Sequence, residues 1–171
     1  WAAERILGGI RSTMESIHIH YDEWFSQASI EESSAVAETV ADLQAKGIVT
    51  EEDGALWFES EQFGDPRERR VLRKSNGDYT YLAGDIAYHR NKFLVRGFDR
   101  VINVWGADHH GQVASLVAGV RALGIDGDRI EVRLGQMISL TSGKMSKRAG
   151  NVVDLDDVVA DIGADATRLL S

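Results

Sequence analysis

Cysteine is absent from this sequence, which excludes a disulfide framework and a thiolate metal site and suits a reducing cytoplasm. Long apolar runs are also lacking. No stretch approaches the roughly 20 uninterrupted apolar residues of a membrane-spanning helix, and the start lacks the basic, apolar and cleavage-site regions of a signal peptide. Basic charge is in deficit, with 19 Lys and Arg against 27 Asp and Glu and a net charge of −8. That balance argues against a general electrostatic binder of nucleic acid, which neutralises phosphates with clustered Lys and Arg. The basic clusters present are short: five basic residues from Arg67 to Lys74 and three from Lys144 to Arg148. Proline occurs once, at Pro66, in a charged loop.

What remains is enough for a core. With 171 residues, 43% of them hydrophobic, the chain can form one ordinary domain or a large part of a bigger one. It begins at Trp1 and stops just after Leu169-Leu170, a pair that reads as the inside of a helix. Both ends are therefore expected to be cut from a longer protein.

Ile6, Leu7, Ile10, Met14 and Ile17 follow helical spacing over residues 2 to 17, and Val36, Val40 and Leu43 do so in a second helix from Glu31 to Ala45 that Gly47 can stop. Between Ile48 and Leu82 the pattern changes to short extended runs, Ala55 to Phe58, Val71 to Lys74 and Tyr79 to Leu82. The last two flank the turn Ser75-Asn76-Gly77-Asp78. Val101 to Trp105 reads as a strand buried on both faces, ending at Gly106. Val113, Leu116, Val117, Val120 and Leu123 make the following helix, stopped at Gly124. Ile130, Val132, Leu134, Ile138 and Leu140 alternate along the next strand, interrupted by Gln136. Asp154 can cap a last helix that carries Leu155, Val158, Val159 and Ile162. Helices alternating with buried strands imply a parallel sheet that binds ligands beyond the carboxyl ends of its strands. Two polar strings stand there: Gly106-Ala107-Asp108-His109-His110, and the loop Lys144-Met145-Ser146-Lys147-Arg148.

In that loop two lysines three apart can close over a polyphosphate and meet charge that develops in a transition state. Taken alone, such a cluster is commonly an ordinary solvated turn. Taken alone, too, Asp85 caps a helix starting at Ile86, and Tyr81 is a hairpin aromatic. The paired histidines do not suggest a metal site, because adjacent residues point apart and no third and fourth ligand stands at a recognisable spacing. No metal site is therefore expected.

The lysine loop closely resembles the KMSKS signature of class I aminoacyl-tRNA synthetases, and its continuation Arg148-Ala149-Gly150-Asn151 is similar to the arginyl branch. The likeness extends along the chain in order. It takes in Asp53-Gly54-Ala55-Leu56-Trp57-Phe58, Lys74-Ser75-Asn76-Gly77-Asp78-Tyr79-Thr80-Tyr81, Asp85-Ile86-Ala87-Tyr88-His89, Gly106-Ala107-Asp108-His109-His110-Gly111, and Gly163-Ala164-Asp165-Ala166-Thr167-Arg168. The resemblance implies the second half of a Rossmann-like parallel-sheet nucleotide-binding domain with a small antiparallel and helical insertion. Residues 1–82 would be that connective insertion, residues 83–157 the second half of the catalytic domain, and residues 158–171 the junction to a C-terminal helical domain.

The same resemblance implies site residues. Tyr81, Asp85 and His109 would hold arginine, while Gly106 and Asp108 would receive the ATP ribose and Gln136 and Met137 the adenine. Lys144, Met145, Ser146 and Lys147 would contact ATP, with Lys144 and Lys147 stabilising the departing pyrophosphate together with magnesium (Mg2+). His110 carries no assigned role. The partners implied are L-arginine and tRNA(Arg), in a cytoplasmic and monomeric parent. The family's His-x-Gly-His motif is missing, and His18-Ile19-His20-Tyr21 lacks its glycine and second histidine. The chain is therefore expected to be inactive by itself. Two alternatives are a free-standing nucleotide-binding module without catalysis and a related nucleotidyltransferase. The second would lack Tyr81 and Asp85.

Overall fold

The computed structural model describes residues 2–136 and 153–170. Its elements are, in order, α1 (Ala2–Ser16), α2 (Ala28–Glu31), α3 (Ala35–Ala45), β1 (Val49–Glu52), β2 (Ala55–Phe58), β3 (Arg70–Arg73), α4 (Tyr81–Arg90), β4 (Val101–Gly106), α5 (Val113–Ala122), β5 (Ile130–Gly135), α6 (Leu155–Ile162) and α7 (Ala164–Leu170). A π-helical turn at Asn91–Val95 prolongs α4, and 3-10 turns occupy Ser60–Phe63, Ala107–Gln112 and Gly127–Arg129. Of the described residues, 2–24 and 153–170 belong to one compact unit and 25–136 to another.

In the first unit α1 is amphipathic but buries none of its residues, and Ile6 is 66% exposed. Ile17, just past its end, is buried, and His18 turns the chain with a positive φ of 58°. Asp154 stands at the start of α6 in extended backbone, as a capping residue does, yet its side chain makes no cap hydrogen bond.

The larger unit is built on two sheets, one antiparallel in the order β1-β2-β3 and one parallel pair, β4-β5. Strand β1 carries a single buried residue, Val49, and so shows no apolar run in the sequence. Asp53 and Gly54, both at positive φ (50° and 75°), join β1 to β2 in a two-residue hairpin, the conformation that Asp-Gly pairs favour. Val40 and Leu43 of α3, Phe58 of β2, Leu72 of β3, Ile86 of α4 and Leu116 of α5 meet in one core. The crossover from β4 through α5 to β5 is the expected parallel unit, with Val101 opposite Ile130 and Gly106 opposite Gly135.

Four expectations need correction. The helix expected over Glu31 to Ala45 is broken, because the Ser33 hydroxyl donates to the Ile30 carbonyl (2.9 Å) and accepts from the Ala35 amide (3.2 Å), offering the backbone an alternative to the helix. Residues 79–82 do not form a strand; only Tyr79 bridges, to Arg73, and α4 begins at Tyr81. Thr80 decides this. Its hydroxyl donates to the Val71 carbonyl (2.9 Å) and accepts from the Ala83 amide (3.4 Å), so that the strand ends and the helix starts on one side chain. It follows that Asp85 is an interior helical residue and not a cap. Lastly, β4 is not buried on both faces. Val101 and Asn103 are buried, whereas Ile102 and Val104 are 55% and 78% exposed.

Candidate functional site

Thr80 sets the start of α4, and the helix then places Tyr81 and Asp85 four residues apart on one face. Tyr81 is 84% exposed, so it is not the hairpin core aromatic that its strand-like context suggested. Asp85 is half-buried. Both line a groove of about 420 Å³ with Trp57, Arg69, Gln112 and Ser115. A larger open cleft of about 750 Å³ borders Tyr81 from the side of Glu31 and Lys74, but Asp85 does not line it, and His109 lines neither space. The smaller groove is therefore the better candidate, since it brings the paired residues together.

The 3-10 turn Ala107–Gln112 leaves the carboxyl end of β4 and carries Asp108 and His109. A Cβ on Gly106 would stand 2.6 Å from an Asp108 carboxylate oxygen, so the absence of a side chain there lets that carboxylate fold back over the strand end. The His109 ring meets Trp105 edge-on at 6.2 Å, and its Nε2 lies 3.8 Å from Asp108 Oδ2. Gln136 follows β5 directly and is exposed, beside the paired ends Gly106 and Gly135. The expected residues Met137, Lys144, Met145, Ser146 and Lys147 lie outside the described residues.

Charge links the two elements. Burial raises the Asp85 carboxyl above the ordinary carboxylate range, while Lys92 and His109 pull it back down. Beneath Asp85, His89 is buried and held neutral: burial and the neighbouring Lys92 charge lower its imidazole to about 4. Its Nδ1 lies 2.7 Å from the Asp85 carbonyl, which can only accept, so Nδ1 carries the proton. Nε2 is then an acceptor, satisfied by Asn103 Nδ2 at 3.0 Å, and Asn103 Oδ1 accepts from Lys92 Nζ at 3.1 Å.

A second network fixes the turn from the other side. Asp65, fully buried, accepts from the Ser115 hydroxyl (2.5 Å) and from the Arg67 amide (3.1 Å) and Nε (3.2 Å). Arg67 Nη2 in turn donates to the Gly111 carbonyl at 2.5 Å. Burial alone would raise the Asp65 carboxyl, but these hydrogen bonds outweigh it and hold the group below its ordinary value.

Gln112, Lys92, Asn103, Asp65 and Arg67 were not among the expected site residues. Two of them left a signal: Asn103 is a polar residue inside an apolar strand, and Lys92 continues the spacing of Asp85 and His89 at three and four residues. Among the described residues no group of three or more His, Asp or Glu side chains converges as a metal site would require.

The family model for tRNA synthetases class I (R), catalytic domain, matches residues 7–171. The arginine-tRNA ligase of Moorella thermoacetica is 50% identical over 172 residues, which cover 98% of this chain and 30% of that protein. That of Caldanaerobacter subterraneus subsp. tengcongensis is 50% identical over 154 residues, 88% of this chain and 27% of the relative. A Campylobacter jejuni protein described as an arginyl tRNA synthetase superposes with a TM-score of 0.84 at 38% identity, over 98% of this chain and 37% of that one. Thermus thermophilus arginyl-tRNA synthetase, at 20% identity and a TM-score of 0.82 over 92% of this chain and 32% of its own, shares the fold. The chain thus spans about 30% of the length of the curated relatives it matches.

Proposed function

This chain belongs to the catalytic-domain family of class I arginyl-tRNA synthetases, and from that premise we propose that it carries the arginine-reading part of an arginine-tRNA ligase. The observation that carries the proposal is the pair Tyr81 and Asp85, one helical turn apart and lining one groove. A carboxylate accepts paired hydrogen bonds from a planar guanidinium, and one left half-buried and unpaired by a wrong amino acid disfavours that amino acid. His109, whose charge acts on Asp85, would close the side toward the nucleotide. Gly106 and Asp108 would take the ribose and Gln136 the adenine, at adjacent ends of parallel strands; by the family resemblance Met137 would share the adenine.

In this reading residues 1–82 are a connective insertion, residues 83–157 the second half of the catalytic domain and residues 158–171 a junction. Arginine's carboxylate attacks the α-phosphate of ATP and pyrophosphate leaves; a ribose hydroxyl of tRNA(Arg) then attacks the arginyl carbonyl, and AMP leaves. Positioning and charge neutralisation drive such a reaction. Lys144 and Lys147 of the loop Lys144-Met145-Ser146-Lys147 would meet the pyrophosphate, with magnesium entering on the phosphates as part of the substrate. The setting is the cytoplasm, and the parent acts as a monomer.

The test is arginine-dependent exchange of pyrophosphate into ATP. With whatever natural sequence flanks the chain present, exchange requires arginine; exchange with another amino acid, or none, overturns the proposal. The chain alone is expected to be inactive. Turnover near that of a full-length relative would refute that part.

A further inference from the structure

Half-burying the Lys92 cation and fully burying the His89 imidazole beside a helix costs solvation that apolar side chains would not lose. The side chains of Lys92, Asn103 and His89 nevertheless form one connected set of hydrogen bonds, and that set ends on the Asp85 carbonyl. Asn103 belongs to β4 and is 7% exposed, and His89 of α4 is 2% exposed. Lys92 stands in the π-helical turn, a feature found often at functional sites. The wider turn brings its ammonium back onto Asn103 and over the Tyr88 ring, 4.2 Å from the centroid. A satisfied buried network of this kind selects one arrangement of the elements it joins.

Those elements are the two halves of the candidate site. Helix α4 presents Tyr81 and Asp85, and β4 delivers Gly106, Asp108 and His109 three to six residues beyond Asn103. We propose that Lys92 is a positioning residue for amino-acid recognition, which through Asn103 and His89 holds the Asp85 turn of α4 at one distance from the end of β4. Without it, the Asp85 carboxylate is no longer presented to a guanidinium that is held at the same time by the nucleotide side of the site. The proposal rests on the reading of Asp85 as the arginine-binding carboxylate. Burial and the neighbouring Arg96 lower the Lys92 amine to about 8, against the pull of Asp85, so the amine is still mainly charged at neutral pH.

The experiment is pyrophosphate exchange by the chain with its natural flanking sequence, comparing wild type with Lys92→Gln, Lys92→Arg and Asn103→Leu. Lys92→Gln removes the charge and, being one bond shorter than lysine, withdraws the hydrogen bond from Asn103. It is expected to raise the KM for arginine about tenfold and to leave the KM for ATP within about twofold, in a protein that still unfolds cooperatively. Lys92→Arg restores the arginine KM to within roughly threefold of wild type. Asn103→Leu shifts the arginine KM in the same direction as Lys92→Gln; should it fail to fold, the two lysine variants decide. An unchanged arginine KM in Lys92→Gln overturns the role of Lys92, as does an equal rise for arginine and ATP, or no recovery in Lys92→Arg. In those cases the wild-type enzyme still depends on arginine, so the reading of the site stands. A wild-type protein whose exchange does not depend on arginine overturns both.

Discussion

At the scale of single residues, the chemistry of the site is a matter of which groups are charged. Asp85 is half-buried with a raised carboxyl, so its neutral form favours the folded chain at low pH and that contribution is lost as pH rises through the raised value. Arginine needs the ionised form. Its affinity is therefore expected to begin falling, on acidification, at a higher pH than for an ordinary carboxylate. Asp85→Asn should weaken binding about a hundredfold and remove that pH dependence, as titration calorimetry would show. His89 behaves in the opposite sense. Its folded value of about 4 lies below the ordinary 6.5, so the stability it contributes is complete above 6.5 and is lost as pH falls toward 4. The loss should reach roughly 3 kcal/mol in denaturant titrations. His89→Gln should abolish this part of the pH dependence; an unchanged acid profile would show that another group carries it.

At the scale of elements, the site depends on how a short helix and a strand are tied to their surroundings. Thr80 ends one element and starts the next, which is why a stretch with strand-like residues becomes the first turn of α4. The turn after β4 is held by Arg67, which reaches the Gly111 carbonyl from the loop between β2 and β3, while Asp65 fixes Arg67 and Ser115 of α5. Asp65→Ala would leave the Ser115 hydroxyl and the Arg67 amide without their buried acceptor. It is expected to cost about 2 kcal/mol in chemical denaturation and to loosen the Asp108-His109 turn. Amide hydrogen exchange should show the second effect as faster exchange confined to residues 107–112 and their neighbours. Uniform acceleration across Phe25–Met137 would mean that Asp65 stabilises the unit without holding the turn in particular.

At the scale of the molecule, the parallel pair β4-β5 buries Val101, Asn103 and Ile130 on one face and leaves Ile102 and Val104 exposed on the other, beside Glu131 and Arg133. An exposed face of this kind contributes little to the fold of the chain that bears it. Replacing Ile102 and Val104 together by Ser should change stability by no more than about 0.5 kcal/mol, while reducing binding of a hydrophobic dye. A large loss of stability would show that the face is packed in solution. Much of this molecule was legible in its residues: the α/β class, the crossover from β4 to β5, the stop at Gly124, and the family, because ordered motifs and apolar periodicity are properties of the chain itself. The helical start at Tyr81, the one-sided burial of β4, and the meeting of Lys92, Asn103 and His89 under Asp85 were not. Each depends on a partner in another element, Val71 of β3 for Thr80, α4 for Asn103, and β4 for Lys92. Sequence periodicity reports which face of an element is apolar, but only tertiary packing decides what that face meets, and hence which buried polar group is neutral, charged or free to bind.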